Sequence, residues 1–143
     1  VTARKVIGDS STVAIRTNRI GLLTIHANAP IVDGEVTDSR LTFTVRIDEV
    51  RTGNPLLDPE LHALIHEVTS GVLQFSGQRE GEVFSGSATA GQISVPLALS
   101  TQQEQMSLSV RGTSSFTDIH LPLPGLSHIH HLEVDIDGRL HLA

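Results

Sequence analysis

The chain has 143 residues, enough for a single domain with its own core, and we expect one domain over 1–143. A formal charge of −6, with ten scattered Lys and Arg, argues against nucleic acid or an anionic membrane surface as a partner, since both need concentrated positive charge. No cysteine is present for disulfide or thiolate chemistry, and the 3% aromatic content is all Phe, so the core must be aliphatic and offers no stacking platforms.

In chain order, Gly8-Asp9-Ser10 reads as a turn before a strand in which Val13 and Ile15 share a face. Leu23 and Ile25 repeat that alternation. Val32-Asp33-Gly34 reads as the next turn, followed by Leu41, Phe43, Val45 and Ile47 on one face, with Thr42, Thr44 and Arg46 opposite. The pattern then breaks. Asp58-Pro59 is a helix start, and Leu61, Leu64, Ile65 and Val68 recur at spacings of three and four. A short apolar stripe inside an all-β chain needs a sheet rim or a barrel end to cover, so this segment reads as a lid.

Alternation resumes at Leu73-Phe75 and again at Ile93-Val95-Leu97-Leu99, with turn signals at Gly81-Glu82 and Gly91. Residues 100–105, STQQEQ, read as a polar flexible connection. Met106-Leu108-Val110 and Leu132-Val134-Ile136 are further strands, with Gly112 as another turn signal. Asp137-Gly138, set between two alternating runs, predicts a hairpin. Ile119 to Leu126 carries Pro122 and Pro124, which remove ladder donors, so it is expected at a sheet edge or in a homodimer interface. The fold class is therefore all-β and antiparallel, with sandwich and barrel both open on pattern alone.

The run from Ile47 to Leu61, IDEVRTGNPLLDPEL, resembles the central motif of the YceI-like family: a strand ending at Thr-Gly, a charged loop, then Asp and a short Leu-bearing helix. Val6 to Ile15, Gly34-Glu35-Val36, Leu73-Gln74-Phe75 and Gly86 to Leu97 are similar to further family segments in the same order, so the resemblance spans about residues 6–99. It implies an antiparallel, lipocalin-like β-barrel with a short helix covering one end, and an apolar channel for an isoprenoid or related lipid. Family members are commonly periplasmic or secreted, with a cytoplasmic minority. The chain departs from the pattern in three places. Ser10-Ser11 stands where His-Ser is usual, channel aromatics are few, and the customary C-terminal motif is missing after residue 100.

An apolar ligand needs apolar walls, worth about 25 cal/mol per Å² removed from water. Val13, Ile15, Phe43, Val45, Phe75, Phe84, Val95, Leu97 and Leu108 are the wall candidates, with Met106 as an adaptable filler and Leu61 and Leu64 at the lid. His128 and His130 fall on one strand face and could form a polar rim that orients a headgroup. Two histidines at i and i+2 are too few for a metal, so no metal or cofactor is expected. No Gly-x-Ser-x-Gly elbow or thiol supports nucleophilic catalysis, so we expect a binding protein rather than an enzyme. The other readings are an interaction module with a filled core and a histidine-assisted metalloenzyme. No apolar run approaches the roughly 20 residues of a spanning helix. As given, the chain reads as cytoplasmic, and as secreted or periplasmic if a leader has been removed.

Overall fold

A computed structural model describes residues 4–17, 26–53, 55–56, 58–91, 93–119 and 129–142; within them, the side chains of 9, 60, 61, 64, 67, 68, 93, 116–119 and 129–132 stand outside the description. The strands are β1 (Arg4–Lys5), β2 (Thr12–Thr17), β3 (His26–Val36), β4 (Arg40–Val45), β5 (Leu73–Glu80), β6 (Val83–Ala90), β7 (Ile93–Glu104), β8 (Ser107–Ile119) and β9 (Ile129–His141). One helix, α1 (Asp58–Val68), and 3-10 turns at Gly8–Ser10 and Ile47–Glu49 complete the described elements. All described pairings are antiparallel, in the order β1-β3-β2-β9-β8-β7-β6-β5-β4, and β4 returns to β3. That last pairing closes an eight-stranded barrel, with the two-residue β1 added beside β3. Closure leaves no sheet edge around the ring.

Several local signals gave way to the ladder. Asp137-Gly138 forms no hairpin: β9 runs straight through it, Gly138 pairing with Val13 on one side and Val110 on the other. The reason is phase. Ile136, Gly138 and Leu140 keep the same inward parity, which a turn would have broken, and the glycine makes room for the Val110 side chain, 2.9 Å from where a Cβ would lie. Gly112 likewise lies within β8. Val32-Asp33-Gly34 lies inside β3, where the β3–β4 register shifts between Ile31 and Asp33, a bulge that turns Val32 outward. Residues 100–104 are strand paired to β8, and the reversal is confined to Gln105 and Met106, with Gln105 at φ 48°.

The barrel has two unlike ends. The closed end carries the short β3–β4, β5–β6 and β7–β8 turns. Here Phe84, Leu41, Leu99, Val110 and Leu140 have no exposed surface, and each contributes about 1.5–3 kcal/mol by burial. Val6 bridges Leu142, and Ile7 N–H donates to His141 O at 2.7 Å, so the N-terminal segment is bound across this end. Ser11, buried, accepts from His141 N–H at 2.9 Å and donates to Ile7 O at 2.7 Å. The Arg79 guanidinium lies 4.6 Å from the Phe84 ring centroid, covering the last aromatic of the core. The opposite end, called the mouth below, carries α1 and the β2–β3, β6–β7 and β8–β9 connections.

Candidate functional site: the barrel interior and its mouth

Inward positions follow from strand phase and burial. On β2 they are Val13, Ile15 and Thr17; on β9, Val134, Ile136, Gly138 and Leu140; on β8, Leu108, Val110, Gly112 and Ser114. Their burial changes along the axis. Toward the closed end the inward residues merge into one packed cluster. Toward the mouth, Ile15 and Val134 are inward by phase, keep exposed surface and stand apart from that cluster, whereas Ile136 and Val95 are partly exposed but touch it. The lining narrows to small side chains in the same half: Ala27 and Ala29 on β3, Ala88 and Ala90 on β6. A ligand channel requires apolar walls with room between them.

Phe43 and Phe75 stack with centroids 5.3 Å apart, and the Phe75 ring lies over Gly77. A Cβ on the facing Gly86 would fall 1.9 Å from Ser76 O, so this strand pair can coil tightly only as Gly77 against Gly86. The aromatic plate belongs to a packed cluster that continues past it toward the mouth through Val45 and Val50.

The β7–β8 seam is discontinuous. Among the described residues its ladder runs from Glu104–Ser107 to Ser100–Arg111 and goes no further, although both strands continue. Pro96 supplies a cause. It pairs with Ser87 inside an unbroken β6–β7 ladder, so its edge without an N–H faces β8. Gly112, where the ladder ends, approaches so closely that a Cβ would lie 2.6 Å from Ala98 O.

The lid is moored by polar contacts to the segment just before it. Asp58 Oδ1 accepts from the Thr52 backbone N–H and hydroxyl, which holds the Asp58 carboxyl below the usual carboxylate range. His62 Nε2 meets Val50 O at the middle of the helix. Asp48, nearly buried, accepts two 2.9 Å bonds from Arg46 and lies 3.5 Å from His66 Nε2. The Arg46 hydrogen bond lowers the Asp48 pKa foremost, with the Arg46 and His66 charges adding to it against the opposing effect of burial. Gly71, at φ 88°, lets its carbonyl accept from Asp48 N–H at 3.1 Å while its missing side chain clears the Asp48 carboxylate. Ile65 turns inward onto the core. Between β3 and the 46–52 segment, Asn28 and Arg51 exchange backbone hydrogen bonds of 2.9 and 2.8 Å, extending the barrel wall where β4 has ended.

The wall candidates fall as follows. Val13, Phe43, Val45, Phe75, Phe84, Leu97 and Leu108 are buried in the core cluster, and Val95 is partly buried against it. Ile15 faces the mouth half. Met106 does not line the interior: it sits in the β7–β8 turn, half exposed, with its Sδ 2.9 Å from an Arg4 nitrogen, because the polar 100–104 run that precedes it is strand rather than loop. The side chains of Leu61, Leu64 and His130, all of His128, and the proline-bearing 120–126 stretch lie outside the described residues. Sequence reading missed Val134, Thr17, the four alanines and Ser114. The parity of each strand, continued to its end, is the signal that would have found them.

A trough of about 620 Å³ lies on the outer wall, across β3, β2, β9 and β8, flanked by Arg16, His26, Asp135, Asp137 and Arg111. Its lining mixes these charged groups with Ile15, Ala27 and Ile136. Among the described residues no three His, Asp or Glu side chains converge as a metal site would need, and no helix is long and apolar enough to cross a membrane.

The geometry has counterparts among solved structures. A polyisoprenoid-binding domain from Saccharophagus degradans, implicated in plant cell wall breakdown, superposes with a TM-score of 0.65 over 98% of both chains at 10% identity. The fold is the YceI-like, lipocalin-type barrel. BcnA from Burkholderia cenocepacia matches at a TM-score of 0.61 and 9% identity, over 94% of this chain and 98% of its own. No protein-family model and no curated protein matches the chain in sequence. The barrel fold is thus shared with these structures at about one identical residue in ten.

Proposed function

We propose that this YceI-like barrel binds an apolar chain molecule, an isoprenoid or similar lipid, within its mouth half, and that it sequesters or carries that molecule rather than transforming it. One observation carries the reading. Ile15 and Val134 are inward by strand phase, yet keep some accessible surface and lie outside the packed cluster formed among the described residues, while every inward residue named at the closed end is sealed. The buried side chains of Ala27, Ala29, Ala88 and Ala90 in the same half are small. Burial of a tail against such a wall contributes about 0.8 kcal/mol per methylene. A channel sealed at the closed end would admit a ligand from one side and hold it without charged clamps. The likeness to a domain described as polyisoprenoid-binding supports the ligand class.

The test is native mass spectrometry of the purified chain before and after organic extraction. We expect an extractable apolar adduct, and its loss in Val134→Phe, which places a ring in the bore. A protein that carries no adduct and gains none when mixed with an isoprenoid alcohol would sink the reading.

A further inference from the structure

Among the described residues, two inward hydroxyl-bearing side chains stand in the mouth half. Thr17 on β2 and Ser114 on β8 each lie opposite Val134 on β9, so the three form one inward row, Thr17–Val134–Ser114. Both hydroxyl residues are only 9% exposed. The Ser114 Oγ is buried and finds no hydrogen-bond partner among the described residues. A hydroxyl withdrawn from water without a partner is unfavourable, and native structures rarely tolerate one. Its place in the fold shows what it can meet. It flanks Val134, which is inward by phase and partly exposed, and it lies on the mouth side of Gly112, beyond the last β7–β8 ladder pair. Ser114 therefore presents a hydrogen-bond group on the inward face, at the level of Val134 and Thr17.

We propose that Ser114 Oγ–H donates to an acceptor oxygen in the bound molecule, so that the barrel selects oxygen-bearing apolar chains (ketones, esters, ethers or alcohols) over plain hydrocarbons. This rests on the bore being a ligand site and adds a specificity-determining residue to it. The hydrocarbon part binds by area anywhere along the channel, whereas the oxygen fixes how deep the chain sits. One such group discriminates well, because an analogue that lacks the oxygen leaves the serine unpaired in the complex.

The experiment uses the full chain and Nile red displacement by three molecules of equal carbon number: tridecane, dihexyl ketone and methyl undecyl ketone. We expect at least one ketone to gain over tridecane, and Ser114→Ala to cut that ketone-to-alkane ratio about tenfold, the worth of one hydrogen bond. Tridecane affinity should be unchanged in the variant. Ser114→Thr, which keeps the hydroxyl, should retain the preference, and Ser114→Ala should melt no lower than wild type, since it removes an unpaired buried group. If tridecane displaces the dye but the ratio is the same in wild type and Ser114→Ala, the serine has no such role and the ligand site stands. If neither the dye nor any of the three molecules binds, both fall together.

Discussion

The closed end and the mouth are built from the same eight strands, yet they solve opposite problems. At the closed end, large aliphatic and aromatic side chains meet with no accessible surface, backbone hydrogen bonds tie the N-terminal segment across the opening, and Arg79 covers Phe84. At the mouth, among the described residues, Ile15 and Val134 keep exposed surface although Val45 and Val50 are sealed, one wall seam loses its ladder, and the helix is held by polar contacts together with Ile65. The difference teaches that tight packing and looser packing are separated along the axis of one barrel. The floor supplies the free energy of folding, which frees the upper wall from tight packing.

The sharpest way to break that contrast is to shorten one inward residue at each end. Phe84→Ala should cost about 3–5 kcal/mol in urea denaturation, because a sealed ring leaves a cavity. Ile15→Ala should cost only about 1 kcal/mol, since part of its surface is already exposed. Equal losses would mean that the mouth is packed like the floor. Next in size is Gly86→Ala. Its methyl would fall 1.9 Å from Ser76 O and 2.5 Å from the Gly77 Cα, so strain of about 1–3 kcal/mol should lower the melting temperature. An unchanged melt would show that the Phe43–Phe75 plate does not depend on that glycine pair.

The smallest global effect should come from Asp48→Asn. Amide hydrogen exchange in α1 should quicken several-fold at neutral pH, while amides of β8 and β9 near Leu140 stay protected. The pH dependence follows from the sign of the shift. Asp48 has a folded pKa below its unfolded value of about 3.9, so its contribution is complete above that pH and disappears as pH falls through the folded pKa. The wild-type and variant lids should therefore converge in exchange rate, after correction for intrinsic rates, in strongly acidic solution. A gap that persists there would assign the mooring to Thr52–Asp58 and His62 instead.

Much of the fold was legible from alternation. Val13, Leu41-Phe43-Val45 and Leu97-Leu99 all face inward, and the helix begins at Asp58. Turn chemistry was the poorer guide. Asp137-Gly138 and Gly112 carry the residues of turns, but in a barrel, glycines at inward positions let facing strands approach and bend, and the continued parity of Ile136 and Leu140 was the stronger signal. Met106 was misplaced because the polarity of the STQQEQ run hid a strand with one wet face. Of the interior, the inward aliphatic positions could be read, while Ser114 could not. A serine in a strand has no distinguishing pattern until its neighbours show that its oxygen is enclosed.

The broken seam at Pro96 bears on the range of molecules the bore can take. In a fully laced cylinder, strand number and stagger fix the diameter, so a thicker guest is excluded outright. Here the lacing stops at Ser100–Arg111, and beyond it the girth is set by side chains rather than by main-chain bonds. If the bore takes a ligand as proposed, this stretch of wall is where a branch or a double bond in the guest would meet the least main-chain resistance.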